Sequence, residues 1–310
     1  MMKTATMLCF TVTLPLCLLG VEAASGEEGW FGHADYLYLS SSGPDAAYAV
    51  GQSAGMPNGS IYNAGSHSNS AVSVTFGYRP LADVEVAFRY TNFEANSFDQ
   101  QSALPGGALA TTRLHPDNSS IAATYANADA GMQLHVFDLE AGSWFHASKD
   151  LGIRPFFGVR TAMIDHSLIS RYNVGASSRF AYDSVDLDAF GLRTGADARW
   201  NLVDGLLYVE GGGAASLLLA RSRTGHLEGG ALAATYVRDD YNHALPVADA
   251  YLGLVLERGP FFVASGYTTS AWFNTGSYVN FTDDIADGQN VRERTDLLLS
   301  GGYFRVGWNW

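Results

Sequence analysis

Apolar and polar residues alternate with a period of two along most of this chain. Val72, Val74, Phe76 and Tyr78 interleave with Ser73, Thr75, Gly77 and Arg79; after Pro80-Leu81-Ala82-Asp83, Val84, Val86, Phe88 and Tyr90 interleave with Glu85, Ala87, Arg89 and Thr91. Successive side chains of a strand point to opposite faces, so this reads as a hairpin with one apolar and one polar face. The same alternation runs from Phe190 to Trp200, from Leu206 to Leu219 and from Ala248 to Leu256, and it flanks the connection Ser143–Asp150. It predicts ten strands, at about 30–40, 71–79, 84–93, 128–146, 151–164, 185–202, 206–220, 245–257, 261–273 and 295–310. Beyond residue 23 no apolar run reaches the length of a membrane helix, and no helical stripe persists for four turns.

Short turns alternate with long polar connections at about 41–70, 94–118, 165–184, 221–244 and 274–293. Compact soluble domains seldom carry so many long loops, whereas outer-membrane barrels have short periplasmic turns and long external loops. The fold class predicted is therefore all-β: a closed antiparallel transmembrane β-barrel of about ten strands, eight to twelve being compatible with the pattern. Both termini fall on the periplasmic side, and the longer strands predict a barrel that protrudes outward. Trp30, Tyr36, Tyr38, Tyr78, Trp144, Trp200, Trp272, Trp308 and Trp310 lie near strand ends or turns, as interfacial aromatic belts require.

Composition agrees. Charged residues make up 16% of the 310 positions, against about 25% in ordinary globular chains. The net charge is −13 and the two lysines are Lys3 and Lys149, which leaves no basic stripe for nucleic acid. Residues 1–23 carry Lys3, an apolar core and Val21-Glu22-Ala23, and read as a cleaved secretory signal peptide; residues 24–310 form the barrel domain. Cys9 and Cys17 both lie in the removed segment, so disulfides and thiolate metal sites are not expected.

With apolar faces toward lipid, the opposite faces place Arg79, Glu85, Arg89, Asp138, Glu140, Arg154 and Arg160 in the lumen, together with Arg193, Asp197, Arg199, Asp249, Glu257 and Arg305. Seven arginines against six carboxylates predict little charge preference by count. Such a lumen is either a charge-lined pore or a plugged interior in which the same residues pair. Phe304, Val306, Trp308 and Trp310 alternate up to the last residue and resemble the terminal signal read by barrel-assembly machinery.

Other chemistry is weakly signalled. Asp183-Asp186-Asp188 and Asp283-Asp284-Asp287 offer hard oxygen ligands for a divalent cation, but a solvated acidic loop is the commoner explanation, and no metal or cofactor is expected. His166 with Asp165, His243 with Asp239 and Asp240, and His226 with Glu228 would be the candidates for an omptin-like surface hydrolase. No G-x-S-x-G, H-E-x-x-H or Walker-type string accompanies them, and the expectation is that the chain is not an enzyme. Gly211-Gly212-Gly213 falls inside a strand and reads as close backbone packing or a bend.

Ordered short motifs add a resemblance. Ala34-Asp35-Tyr36-Leu37-Tyr38, Ala46–Val50, Phe76-Gly77-Tyr78-Arg79, Val136–Gly142 and Phe156-Phe157-Gly158-Val159-Arg160 resemble the Legionella-type pore-forming major outer membrane proteins over most of the mature chain. The resemblance implies a surface-exposed barrel of the outer membrane that forms pores, and brings no catalytic residues. The expectation is passive diffusion of small solutes or ions, with outer-membrane lipid and the assembly machinery as partners. The competing reading is a non-conducting structural or adhesive barrel that displays its external loops.

Overall fold

The structure, a computed structural model, describes residues 28–309 apart from 44–45, 54–55, 82, 116–121, 231–233, 277, 282–289 and 292–294. The expected signal peptide, Asp283, Asp284, Asp287 and Trp310 lie outside the described residues. In chain order the strands are β1 (Gly29–Ser42), β2 (Ala47–Ser53), β3 (Met56–Asn63), β4 (Ser66–Leu81), β5 (Val84–Ser102), β6 (Ala108–Thr111), β7 (Tyr125–Ser143) and β8 (Phe145–His146). They continue with β9 (Leu151–Val174), β10 (Ser177–Val203), β11 (Leu207–Gly230), β12 (Thr235–Arg258), β13 (Phe261–Trp272), β14 (Asn280–Phe281), β15 (Asn290–Val291) and β16 (Leu297–Asn309).

Ten of these close into an antiparallel barrel in the order β1-β4-β5-β7-β9-β10-β11-β12-β13-β16, and β16 pairs back onto β1; β8 adds a short extra strand beside β9. Closure leaves no edge whose N–H and C=O groups would face hydrocarbon. At the seam Phe31 lies opposite Asn309 and Asp35 opposite Arg305. Turns at 203–207 and 258–261 sit at the same end as both termini, and Gly205 and Gly259 supply the positive φ that such tight reversals require.

The wall has uneven height. Strands β9 to β12 run for 24 to 27 residues, whereas β13, β16 and β1 have 12 to 14. Spanning hydrocarbon takes about 9–11 residues, so the tall wall continues far outside the membrane.

This changes two expected loops. Segments 165–184 and 221–244 are extensions of the β9–β10 and β11–β12 hairpins, paired up to Val174–Ser177 and Glu228–Thr235. Period two persists there, but its sense inverts. Along β9 the outward residues pass from Phe157, Val159 and Met163 to Asp165, Ser167 and Arg171, while the inward residues pass from Arg154 and Arg160 to Ile164, Leu168 and Tyr172. Lipid surrounds the lower part and water the upper part, and the inside changes in the opposite direction.

The inward apolar residues of the upper wall bury against the connections. Strands β3, β2 and β6 form a small sheet whose Tyr48, Ala49 and Leu109 pack with Leu114, Ala123 and Tyr278 against Ala128, Leu168, Tyr172 and Val185 of the wall. Tyr172 donates to the Tyr48 carbonyl at 2.6 Å, and Tyr48 donates to Asp99 at 2.9 Å. The outer mouth is thus filled by a folded cap.

Outward aromatics mark the lower membrane boundary. Trp30 stacks on Phe76 at 4.9 Å and packs with Tyr78, while Trp200, Phe261 and Trp308 point to lipid. Trp272 and Trp144, expected in the belts, instead face the interior: Trp272 is buried beneath Arg160 and Trp144 lies against Arg199.

Candidate functional site: the charged lumen

All thirteen charged residues assigned from alternation to the lumen occupy inward positions, with exposure ranging from buried to partial. The structure joins most of them into one network. Arg160 grips Asp138 with two bonds, 2.6 and 2.9 Å, and reaches Asp249 at 2.9 Å. Arg193 also pairs with Asp249 and lies 3.8 Å from Glu140. Arg154 is shared by Glu85 at 2.8 Å, Glu140 at 3.3 Å and Asp197 at 2.7 Å, and Glu85 in turn takes Arg79 at 2.8 Å. Arg199 faces Glu210 at 3.7 Å, and Glu257 is half-buried close by. Buried charges at this depth are tolerable only when paired, which is what the network achieves.

Two members escaped the alternation argument. Asp35 and Glu210 both hold Arg305, at 2.6 and 2.8 Å, and bring the lumen to eight carboxylates against seven arginines. Asp35 shares its face with buried Leu37 and Leu39, opposite lipid-facing Tyr36 and Tyr38, so the same period would have found it. Glu210 precedes the glycine run, where no outward side chains mark the phase. The glycines make room: a Cβ on Gly212 would stand 2.5 Å from Asp197 and 2.7 Å from the Tyr251 ring.

Arg89 stands apart. It lies directly opposite Asp138 on the neighbouring strand, yet Asp138 binds Arg160, on its other side. Arg89 donates instead to Thr75 at 3.1 Å and has no ion-pair partner among the described residues. It lines a cavity of about 140 Å³ within the network, bordered by Asp35, Asp138, Arg160, Tyr303 and Arg305. Paired arginine and carboxylate side chains crowd the lumen around this cavity among the described residues.

A second charged cluster pins the cap, outside the membrane. Arg113 donates to Asp183 at 3.0 Å, His226 Nδ1 lies 2.8 Å from the other oxygen of Asp183, and Glu228 accepts the His115 backbone N–H at 2.7 Å. Burial pulls the His226 pKa down, but its hydrogen bonds and charge interactions with Asp183 and Glu228 outweigh this and raise it from 6.5 to about 9. Sequence offered no signal for this site beyond the His226–Glu228 spacing.

The remaining expectations separate. Asp183 points inward while Asp186 and Asp188 point outward, so these three do not converge on a cation. Asp165 and His166 lie on opposite faces of β9, and burial lowers His166 from 6.5 to about 4. His243 bonds the Asn274 carbonyl at 2.8 Å, while Asp240 faces outward to Arg221. Phe304, Val306 and Trp308 all face lipid.

The family model for the Legionella pneumophila major outer membrane protein precursor matches residues 24–310, nearly the whole chain. The chain belongs to this family. Its barrel is an outer-membrane barrel, in keeping with both the match and the fold. No functionally curated protein matches it in sequence. Among solved structures it is similar to the Escherichia coli outer membrane protease OmpT, with a TM-score of 0.53 and 9% identity over 94% of this chain and 99% of that one. At that identity the likeness concerns the fold alone. The translocator domain of the autotransporter NalP from Neisseria meningitidis aligns with a TM-score of 0.40 and 14% identity, covering 92% of this chain and 90% of that one. A Pseudomonas aeruginosa FadL homologue aligns at 0.29 with 7% identity, covering 90% and 89%.

Proposed function

We propose that this protein is a narrow pore of the outer membrane, closed at rest by its lumen ion pairs and its cap, that passes small ions when the pairs exchange. The observation that carries this reading is the position of Asp138 between two arginines, Arg160 which it binds and Arg89 which it does not. An exchange of partners keeps every charge compensated while it moves side chains across the lumen, whereas removing a partner would strand a charge. No catalysis is assigned to the barrel, and small ions and outer-membrane lipid are the partners this reading requires. Lipid-facing Phe304, Val306 and Trp308 are the proposed contact for assembly machinery.

A second reading rests on the cap: a barrel with a filled lumen and a separately cored external sheet suits display of loops rather than conduction. Single-channel recording of the mature protein in a planar bilayer separates the two. The pore reading expects small discrete steps, altered in frequency by Arg89→Gln, with reversal potentials reporting the charge preference. Silence from both forms, once heat-modifiable gel mobility shows them folded, would leave the display reading.

A further inference from the structure

The outside of the tall wall carries an ordered set of rows. Strand register aligns Phe190, Leu219 and Ala244 in one row, then Asp188, Arg221 and Asn242, then Asp186, Arg223 and Asp240. Next come Ser184, Gly225 and Arg238, and finally Tyr182, Leu227 and Tyr236. Along the outward normal the wall is therefore apolar, then charged for three rows, then aromatic. Two residues advance a tilted strand by roughly 5 Å along the barrel axis, so the charged zone is about 15 Å deep.

Two grooves follow this order. The lower, about 710 Å³, is lined by Met163, Phe190 and Leu219 on its membrane side and by Asp188, Arg221 and Asn242 on its outer side. The upper, about 220 Å³, runs over Gly225 between Tyr182 and Tyr236, with Arg223 and Arg238 beside it. Gly225 forms the dip because no side chain stands between Ser184 and Arg238 in that row. Tyr236 is 67% exposed although it lies beyond the hydrocarbon, where water gives an aromatic row no reason to persist.

We infer that this wall binds one phosphorylated glycolipid of the outer leaflet. Its acyl chains would lie in the lower groove, its phosphates among Arg221, Arg223 and Arg238, and its sugars against the two tyrosines. Arg221 and Arg223 are held in place by Asp240 and Asp188, while Arg238 has no ion-pair partner among the described residues and is the free cation for a phosphate. Guanidinium and phosphate pair through charge-assisted bonds, and carboxylates such as Asp186 accept from sugar hydroxyls. A glycerophospholipid would fill the lower groove and the first charged row but has nothing to place on the tyrosines. The far wall differs in its charge: the outward positions of β5 and β7 in the corresponding rows hold Asn92 and His135, Glu94 and Gln133, and Asn96 and Gly131, with no arginine, although Phe98 continues the aromatic row there. This inference does not depend on conduction.

The test is native mass spectrometry of the mature protein folded in detergent. It is titrated with bisphosphorylated lipid A bearing inner-core sugars, with the dephosphorylated lipid, and with phosphatidylglycerol. The expected result is a one-to-one adduct with the first lipid. Its affinity should fall about tenfold on dephosphorylation and about tenfold in Arg223→Ala/Arg238→Ala. Tyr236→Ala should weaken the lipid that bears inner-core sugars severalfold and leave lipid A without those core sugars unchanged. Arg258→Ala, at the opposite end of the barrel, serves as the control. Equal binding of phosphatidylglycerol, or variants that bind as the parent does, would overturn the inference. All the variants are exposed, and heat-modifiable mobility verifies that each barrel has folded.

Discussion

Within one continuous strand such as β9, the lower half buries arginine and the upper half buries leucine and tyrosine. The two halves share backbone, register and period, and differ in what surrounds them. In hydrocarbon the outside must be apolar, which leaves the polar positions to the interior, where they are stabilised only by pairing. Above the membrane water takes the polar positions, and the interior is then free to pack an apolar cap. The lumen at membrane level thus depends on complementary charge, and the mouth depends mainly on apolar contact with one buried ionic cluster.

The most damaging way to break this contrast is to strand a charge at membrane level. Arg160→Met leaves Asp138 without its bidentate partner and should cost about 3–5 kcal/mol in urea unfolding of the detergent-folded barrel. Adding Asp138→Leu should restore most of that loss, because an apolar pair of similar volume replaces the ion pair; an unrestored double variant would show that the network acts as a unit. Slightly smaller is the reverse error on the lipid side. Leu192→Arg, at an exposed position on the lipid face of β10, should cost about 2–4 kcal/mol in lipid vesicles.

The cap should respond to pH where the lumen does not. His226 has a folded-state pKa raised to about 9, so its charge stabilises the cap fully below the ordinary imidazole value of 6.5 and ceases to do so as pH rises through about 9. Hydrogen exchange of residues 111–115 should accelerate over that window while the membrane-level strands stay protected. Equal protection at pH 6 and pH 10 would rule out the charged histidine as the latch. The smallest effect belongs to the half-exposed pair Arg171–Asp129 on the outer surface, where Arg171→Ala should change stability by less than about 1 kcal/mol.

The membrane-level half was legible in the sequence because lipid imposes one sense on the alternation. Every strand core and all thirteen lumen charges followed from it. The upper half was harder to read because the rule changes sign: Asp165, Asp186, Arg221 and Asp240 look like loop residues when lipid-facing apolar positions are what one seeks. Arg113 and Asp183 lie 70 residues apart, and no local pattern reveals that they meet beneath a cap. The pairing partners inside the lumen were equally hidden, since alternation assigns a face but not a neighbour around a closed ring.

The seam between β1 and β16 has a kinetic meaning. The ion pair that locks it, Asp35 with Arg305, joins residues separated by 270 positions, so it cannot form until nearly the whole described chain has been made. Until then the sheet is an open ribbon with two bare edges, and every hairpin already zipped waits on contacts between the first and last strands of the barrel. Assembly is therefore expected to be slow at its last step, and a chaperone that shields β16 until β1 arrives would act on the slowest event of folding.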